Sequence, residues 1–189
     1  MFWDANGVLK MTATQVFHFS EGDRPFSPPF LSDETYGQAL DALVIACVDV
    51  VLVWGDRVLL GERHQLPRPG WWVIGGRMIH GESPIAAVQR KLKEDAGLGD
   101  IAGDRLYFVG VFSTRFSQRG QPPADHGLHS INLTYRLELT DEEAEGIILD
   151  EREYGRSHWW NKNEIADVLN RDIVMDQALQ QILIQYQKT

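Results

Sequence analysis

Runs of hydrophobic residues divide the chain into predicted strands and helices. From Ala42, the segment ALVIACVDVVLVW is rich in β-branched residues, Gly55 and Asp56 follow it, and RVLLGER then resumes the apolar pattern. Two such runs separated by a Gly-containing pair are typical of a β-hairpin. After the loop HQLPRPG, the residues WWVI predict a short strand that enters Gly75 and Gly76. The domain is therefore expected to begin with three consecutive strands.

The clearest helical pattern follows these glycines. Ser83 is a favourable N-cap, Pro84 suits the first helical position, and Gly97 suits the position just after the last turn. Between them, apolar residues recur at spacings of three and four, which places them on one face of a helix. These residues are Ile85, Val88, Leu92 and Ala96. The pattern predicts a helix over residues 83–96.

Strands return in the second half of the chain. RLYFVGVFSTRF and HSINLTYRLEL are predicted strands on either side of SQRGQPPADHGL, whose Gly, Pro and polar residues predict a mobile loop. A short strand, IIL, is expected after the acidic stretch TDEEAEG. Two helical segments, NKNEIADVLN and MDQALQQILIQYQK, end the chain, and the second is expected to bury Leu179, Ile182 and Leu183. Strands with helices on both sides indicate an α/β or α+β layered domain.

The N-terminal part of the chain lacks such a pattern. Residues 1 to about 40 are mixed, and EGDRPFSPPFLSDETYG is rich in Pro, Ser and Gly, which predicts irregular structure on the surface. No basic segment followed by a long apolar core stands at the N-terminus, so no signal peptide is expected. The longest apolar run is interrupted by Asp49 and is too short to span a bilayer. A soluble cytoplasmic protein that does not bind membranes is the expectation.

Composition narrows the range of functions. A chain of 189 residues, 43% of them hydrophobic, is sufficient for one globular domain with a full core. The net charge of -9 argues against a nucleic-acid binder, because phosphate strands require a basic face. A small anionic ligand remains compatible with this charge, since it needs only a few local arginines. The one cysteine, Cys47, excludes a disulfide framework, favours a reducing compartment and is itself expected to be a buried small hydrophobe.

Charged residues on the predicted helix indicate a metal site. Lys91, Glu94 and Asp95 stand at i, i+3 and i+4, so they share one helix face. Two neighbouring carboxylates are stabilised by a cation between them, and Mg²⁺ prefers such oxygen ligands. The alternative is a solvated acidic face that pairs with Lys91 and Lys93. The residues around the helix favour the metal site.

The region around this helix resembles the Nudix box, G-x5-E-x7-R-E-U-x-E-E-x-G-U, where U is aliphatic. Lys91 stands where the family has Glu, Asp95 conservatively replaces the second Glu of the pair, and Ile74 stands where Pro is frequent. The matching positions are Gly76, Glu82, Arg90, Leu92, Glu94, Gly97 and Leu98. The resemblance extends over roughly residues 40–170. It implies a Nudix α/β/α sandwich with a mixed central sheet over residues 41–189, preceded by an N-terminal extension, 1–40.

At Lys91 this chain is similar to one branch of the family, the GDP-mannose mannosyl hydrolases. That branch lacks the glutamate and uses one metal. LGERHQLPRPGWW and ILDEREYGRSHWW are similar to segments of the same branch. The resemblance implies a homodimer that hydrolyses a nucleotide sugar such as GDP-mannose by attack at carbon, giving NDP and free sugar. It also implies Mg²⁺, with Mn²⁺ as an alternative. One metal remains compatible with Lys91, whose ammonium could also extend outward to solvent.

The same resemblance assigns roles by position. The Gly75 carbonyl and Asp95 would hold Mg²⁺, with Glu94 as an additional ligand. Arg63 and Arg77 would contact the diphosphate, whose charge they would neutralise as the leaving group departs.

The late acidic loop can be aligned with this branch in two registers. A simple alignment places Arg152 and Glu153 where the branch has a Gln metal ligand and a His base, which makes Glu153 the candidate base. A shift by one residue makes Glu151 the metal ligand instead. Arg90 would pair with Glu82 and brace the loop against the helix.

Several aromatic residues, histidines and one arginine also have candidate roles. Trp72 is a candidate stacking face for a base, although one of the adjacent Trp71 and Trp72 is expected in the core. His129 would touch phosphate or sugar, or serve only structure. His158 is expected to belong to strand packing, and Arg119 is expected on the solvated surface.

Two other functions are compatible with these residues. One is conventional pyrophosphate cleavage giving NMP and a sugar phosphate. The other is a sensor module that binds a nucleotide sugar or ADP-ribose without turnover. Lys91 and Arg152 favour the sensor, whereas Glu94, Asp95 and the arginines argue against it. The N-terminal extension either seals a dimer interface or covers the cleft.

Overall fold

The computed structural model describes residues 16–21, 31–165 and 169–188, together with the backbone of two short paired strands, β1 (Phe2–Trp3) and β2 (Leu9–Lys10). The expected helix NKNEIADVLN lies partly outside the described residues. The other elements are, in chain order, α1 (Asp33–Ala42), β3 (Ile45–Trp54), β4 (Arg57–Arg63), β5 (Gly70–Trp72), β6 (Ile74–Arg77), α2 (Pro84–Ala96), β7 (Tyr107–Phe116), β8 (Leu128–Glu138), α3 (Asp141–Glu145), β9 (Tyr154–Asn161) and α4 (Val174–Tyr186).

A mixed sheet of seven strands organises the domain. Its main path runs β5-β4-β3-β8-β7, while β6 also pairs with β3 and β9 also pairs with β4. β3 and β8 are parallel, and all other pairs in this sheet are antiparallel. The predicted hairpin is confirmed as β3 and β4, which meet where Trp54 pairs with Arg57.

Helices cover both faces of the sheet because the central strand is apolar on both sides. Alternate residues of β3 point to opposite faces. Val48, Val50 and Leu52 pack with Val88 and Leu92 of α2. On the other face, Val51 and Val53 pack with Leu179, Ile182 and Leu183 of α4. The predicted α/β/α sandwich and the buried face of the C-terminal helix are both confirmed.

Helix α2 forms where its capping residues predict it. The Ser83 hydroxyl accepts a hydrogen bond from the Ala86 backbone N–H at 3.1 Å. Pro84 occupies the first helical position, and Gly97 ends the helix in the left-handed region with φ 70°. That conformation is easily reached only by glycine, so the helix ends at a defined residue.

One prediction about local structure is wrong, and one helix was not predicted. Residues 147–149 do not form a strand; Ile147 and Leu149 instead pack against the core as irregular chain. The acidic stretch before them forms the short helix α3, whose N-cap Thr140 and Glu143 make reciprocal hydrogen bonds in a capping box. Burial explains two positions of this apolar run, Ile147 and Leu149, whereas Ile148 is exposed.

The N-terminal extension and the loop after β7 also differ from expectation. Residues 33–42, expected to be irregular, form α1, whose N-cap Ser32 accepts from the Thr35 N–H. Arg119 was expected on the solvated surface but is fully buried. Its guanidinium anchors the loop after β7, as described below. Within the described residues, no helix has the length and apolarity needed to cross a membrane.

Candidate functional site

A cleft of about 220 Å³ opens over strands β3, β6 and β8, between α1 and the loop that joins β4 to β5. Its lining combines cationic, polar and aromatic side chains. They include Arg63, Arg68, Arg77, Asp49, Ser130, Asn132, Tyr36, Trp72 and Phe116. A cleft with convergent arginines and aromatic faces suits an anionic ligand that carries a ring.

Three arginines reach this cleft from different directions. Arg63 ends β4, and its Nη2 lies 3.0 Å from Glu153 Oε2. Arg77 ends β6, is exposed, and places its guanidinium 4.3 Å from the Tyr36 ring centroid. Arg68 was not singled out in the sequence, because it stands in a loop between prolines. It is buried, forms an ion pair with Asp176, and burial lowers the pKa of its guanidinium.

A buried carboxylate forms part of the cleft floor. Asp49 is only 3% exposed, and its Oδ2 accepts a hydrogen bond from Asn132 Nδ2 at 2.7 Å. Burial raises the pKa of Asp49 to about 6, although hydrogen bonds from Asn132 and Trp72 oppose the rise. Gly75 allows β6 to approach this group, since a Cβ there would lie 2.5 Å from Asp49 Oδ1. Asp49 was missed as a site residue, although a lone charge within an apolar strand was a usable signal.

The raised pKa predicts that Asp49 limits stability at neutral pH. Because the native pKa of about 6 exceeds the unfolded value, ionisation of Asp49 destabilises the native state increasingly as pH rises through that range. Asp49→Asn should raise the free energy of unfolding by up to about 3 kcal/mol at pH 7.5 and by about half of that at pH 5. Urea unfolding at the two pH values measures this. Asp56→Asn, at an exposed carboxylate, is the control; a gain that does not depend on pH would contradict the prediction.

Arg90 joins the turn after β6 to helix α2. Its Nε lies 2.5 Å and its Nη2 3.0 Å from the Glu82 carboxylate oxygens, and Nη2 also donates to the Arg77 carbonyl at 3.0 Å. Nη1 donates to Glu94 Oε2 at 3.0 Å. Glu82 in turn accepts from the Ile79 N–H at 2.8 Å. The structure thus brings together the pair expected to brace this turn.

Lys91 lies on the predicted metal face and does not extend to solvent. Its Nζ is 2.7 Å from Asp95 Oδ1 and 3.9 Å from Glu94 Oε2. The side chain is 14% exposed, and its Cε would lie 3.0 Å from a Cβ placed on Gly76. The outward ammonium, which the sequence left open, is therefore not the conformation observed. A buried carboxylate attracts the nearest cation, and here that cation belongs to the protein.

The donors that remain fit one divalent cation. Asp95 is buried, its Oδ2 has no hydrogen-bond partner, and burial raises the pKa of its carboxyl despite the hydrogen bond from Lys91. Glu94 is half exposed. Among the described residues, no three His, Cys, Asp or Glu side chains are grouped closely enough to hold a metal ion. One cation at Asp95 would satisfy the unpartnered oxygen.

The late acidic loop approaches α2 through its backbone. The Asp150 N–H donates to the Asp95 carbonyl at 3.0 Å. Arg152 binds the Asp150 carboxylate at 2.8 Å and, chiefly through that hydrogen bond, lowers the pKa of Asp150 to about 2. Glu151 is exposed in this turn, and Glu153 contacts Arg63. The candidate base and a candidate diphosphate ligand are thus in direct contact.

The remaining predicted residues separate into two groups. Trp72 lies in the cleft wall with the Arg68 guanidinium 5.5 Å from its ring, while Trp71 packs edge-on against Trp160. His129 does not line the cleft; its Nε2 lies 2.9 Å from Ser113 Oγ beside a neighbouring groove. Its expected contact with phosphate or sugar is therefore not supported by its position.

The sequence predicted structural roles for His158 and Cys47. His158 packs against Trp160 with ring centroids 4.4 Å apart, which agrees with its predicted role in strand packing. Cys47 lines the cleft, and burial raises the pKa of its thiol to about 12.

Comparisons with known proteins place this geometry in a family. The model of the NUDIX domain matches residues 45–181. The uncharacterized Nudix hydrolase YvcI of Bacillus subtilis (strain 168) is 29% identical over 119 residues, which are 62% of this chain and 66% of that protein, just under two thirds. A MutT/nudix family protein from Enterococcus faecalis is 25% identical with a TM-score of 0.50, over 63% of this chain and 44% of that one.

A third similar structure adds support for the fold. The NUDIX domain of Shewanella oneidensis NrtR, complexed with ADP ribose, has a TM-score of 0.54 and 20% identity over 77% of this chain and 88% of that one. None of these three matches points to the GDP-mannose mannosyl hydrolase branch. The matched region contains the sheet, helix α2 and the cleft arginines, and α1 precedes it. This chain belongs to the NUDIX domain family.

Proposed function

We propose that this protein hydrolyses a nucleoside diphosphate linked to another moiety. Nudix hydrolases act on such compounds and generally use divalent metal ions, usually Mg²⁺. The observation that carries the proposal is the convergence of Arg63, Arg68 and Arg77 on one cleft, beside the Gly76 backbone that also contacts the Lys91 side chain. A diphosphate bound by these arginines would thus lie close to the candidate cation site.

The residues of the chain supply most of the expected chemistry. Asp95 and Glu94 would hold one Mg²⁺, with Mn²⁺ as a substitute and with Gly75 and Glu151 as further candidate ligands. When bound, that ion stabilises the negative charge of the leaving group. Arginines would bind the diphosphate bidentately and neutralise it as the bond breaks.

Arg63 couples binding to the candidate base. Arg63 holds the Glu153 carboxylate in an ion pair at 3.0 Å. A diphosphate that binds Arg63 competes for that guanidinium and leaves Glu153 available to accept a proton from water. Arg90 acts indirectly, because its contacts with Glu82 and the Arg77 carbonyl fix the turn that carries Arg77.

We further propose a nucleotide sugar, with GDP-mannose first, as the substrate and carbon as the point of attack. The support is the sequence resemblance, together with a donor set that fits one cation. The runner-up is attack at phosphorus, which gives NMP and a sugar phosphate. A homodimer remains a prediction from the resemblance, and a cytoplasmic location remains a prediction from the N-terminal sequence.

One observation favours a second candidate, which is binding without turnover. The Lys91 ammonium neutralises Asp95 at 2.7 Å and so reduces the need for a metal at this position. The NrtR domain, which adopts a similar fold, is complexed with ADP ribose. A sensor for ADP-ribose or a nucleotide sugar would use the same arginine cleft.

Product analysis in ¹⁸O-labelled water tests the proposal. The protein, Mg²⁺ and a panel of GDP-, UDP- and ADP-sugars including ADP-ribose are incubated, and the products are identified by mass spectrometry. We expect NDP and labelled sugar, because water would attack carbon. Asp95→Asn is the matched variant, and it should reduce turnover at least tenfold by removing a charged donor.

The other outcomes separate the alternatives. NMP and a sugar phosphate, with the label in a phosphoryl group of one of them, would establish attack at phosphorus and would contradict the proposed branch. Tight binding by calorimetry without any product would contradict the hydrolase and support the sensor.

A further inference from the structure

We infer that α1, which precedes the matched family region, is part of the ligand site, and that Tyr36 is a positioning residue for Arg77. This inference rests on the proposed function, because it concerns the same cleft. Within the described residues, α1 of the N-terminal segment lines the cleft, which favours the covering role over the dimer interface that the sequence also left open.

Two residues of α1 form a wall of the cleft. Tyr36 and Leu40, one helical turn apart, both line it. The Arg77 guanidinium lies 4.3 Å from the centroid of the Tyr36 ring, within the range of a cation–π contact. Arg77 is otherwise exposed and has a long flexible side chain. The ring therefore holds the guanidinium at the cleft mouth, where a diphosphate would meet it.

Close packing fixes α1 in this position. A Cβ on Gly37 would lie 2.0 Å from the Pro122 carbonyl oxygen, so the helix approaches the loop after β7 as closely as only glycine permits. Nearby, the buried Arg119 donates from Nη1 to Asp41 Oδ1 of α1 at 2.6 Å and to the Gly127 carbonyl at 3.0 Å. The same guanidinium binds the carbonyls of Gln121 and Pro122. α1 is thus attached to the loop after β7.

The position of Tyr36 separates its effect on ligand binding from any effect on the bond-breaking step. Tyr36 contacts Arg77 rather than the candidate metal ligands, so its loss should weaken ligand binding more than it slows the bond-breaking step. Losing one exposed cation–π contact would change affinity by roughly two- to fivefold. Tyr36→Phe keeps the ring and the contact, whereas Tyr36→Leu removes both.

The experiment compares these variants with a matched control. Tyr107→Leu is suitable because Tyr107 is also a partly exposed tyrosine under an arginine, with Arg136 5.3 Å from its ring, but it does not line the cleft. KM and kcat are measured on the panel compound that is turned over best, and Kd values for ADP, GDP, ADP-ribose and GDP-mannose are measured by calorimetry. We expect a rise of roughly two- to fivefold in KM and Kd for Tyr36→Leu, with kcat within twofold. Tyr36→Phe and Tyr107→Leu should match the wild-type values.

A second variant tests the helix position independently of the ring. Gly37→Ala should force α1 away from Pro122 and weaken binding at least as much as Tyr36→Leu. Gly99→Ala is its control, since a Cβ there has no neighbour within 4 Å. Thermal unfolding of each variant shows that the domain remains folded.

The outcomes are distinct. Wild-type affinity in both Tyr36→Leu and Gly37→Ala would overturn this inference and leave the proposed function intact. Binding without turnover in the wild-type protein would contradict the hydrolase, while Kd values would still decide the role of Tyr36. A wild-type protein that neither binds nor hydrolyses any of these compounds would overturn both.

Discussion

Lys91→Glu is expected to raise the affinity for Mg²⁺ by tenfold to a hundredfold. The wild-type ammonium lies 2.7 Å from Asp95 Oδ1 and 3.9 Å from Glu94 Oε2, so a divalent cation must displace it or bind beside it. The substitution removes that repulsion and adds a third carboxylate to the same helix face. Two unit charges 4 Å apart interact with about 4 kcal/mol at an effective dielectric of 20, so a tenfold gain, about 1.4 kcal/mol, is a conservative minimum. Calorimetry with Mg²⁺, or Mn²⁺ titration followed by electron paramagnetic resonance, measures the change.

Lys93→Glu is the matched control for that experiment. It makes the same charge change two residues further along α2. Lys93 is exposed, however, and no ion pair joins it to Asp95. Its effect on Mg²⁺ affinity should stay within about threefold, because solvent screens exposed charges. Equal gains from the two substitutions would contradict a specific role for Lys91 and would point to net charge alone.

The same variant distinguishes the candidate functions by activity. A phosphorus-attacking enzyme weakened by Lys91 should gain rate when the carboxylate is added. A carbon-attacking enzyme adapted to one metal should gain little or lose rate. A binding module should remain inactive although it binds the metal more tightly.

Arg119→Met is expected to lower the free energy of unfolding by about 3 kcal/mol, because each hydrogen bond to a charged group contributes about 1.5–3 kcal/mol and buried carbonyls are costly to leave unpaired. Arg119 is fully buried and donates to the Asp41 carboxylate and to three backbone carbonyls. Methionine keeps much of the apolar stem, so the loss reports mainly on these bonds. Urea unfolding measures it.

Arg115→Met provides the comparison for Arg119. Arg115 lies four residues earlier at the exposed end of β7, so its replacement should change the free energy of unfolding by less than about 0.5 kcal/mol. A similarly small change for Arg119→Met would show that the loop after β7 does not depend on the buried guanidinium. It would also remove the anchor that we assign to α1.

Local signals in the sequence predicted much of the fold. The hairpin, α2 and α4 follow from short-range periodicity and capping residues, which act within one element. IIL was misassigned because a short apolar run has the same appearance in a buried strand and in irregular chain that packs on a core. The capping residues Thr140 and Glu143 were a signal for α3 that the sequence analysis did not use.

The candidate site was harder to predict because its contacts are long-range. The box identified Arg90, Asp95 and their neighbours, yet the direction of the Lys91 side chain depends on the Gly76 backbone across the turn. Asp49 and Asn132 meet although 83 positions separate them. No local pattern could show that Arg119, in a polar loop, reaches Asp41 in the N-terminal segment.

The parallel pairing of β3 with β8 makes the cleft depend on a contact between strands that are distant in the sequence. These strands cannot be joined by a tight turn, so closing them requires the intervening chain to be ordered around them. The floor at Asp49 and Asn132 spans this junction, and no short contiguous fragment contains it. A ligand in the cleft consequently binds only the fully assembled sheet, and its binding energy adds to the cooperative stability of the whole domain rather than to one helix or hairpin.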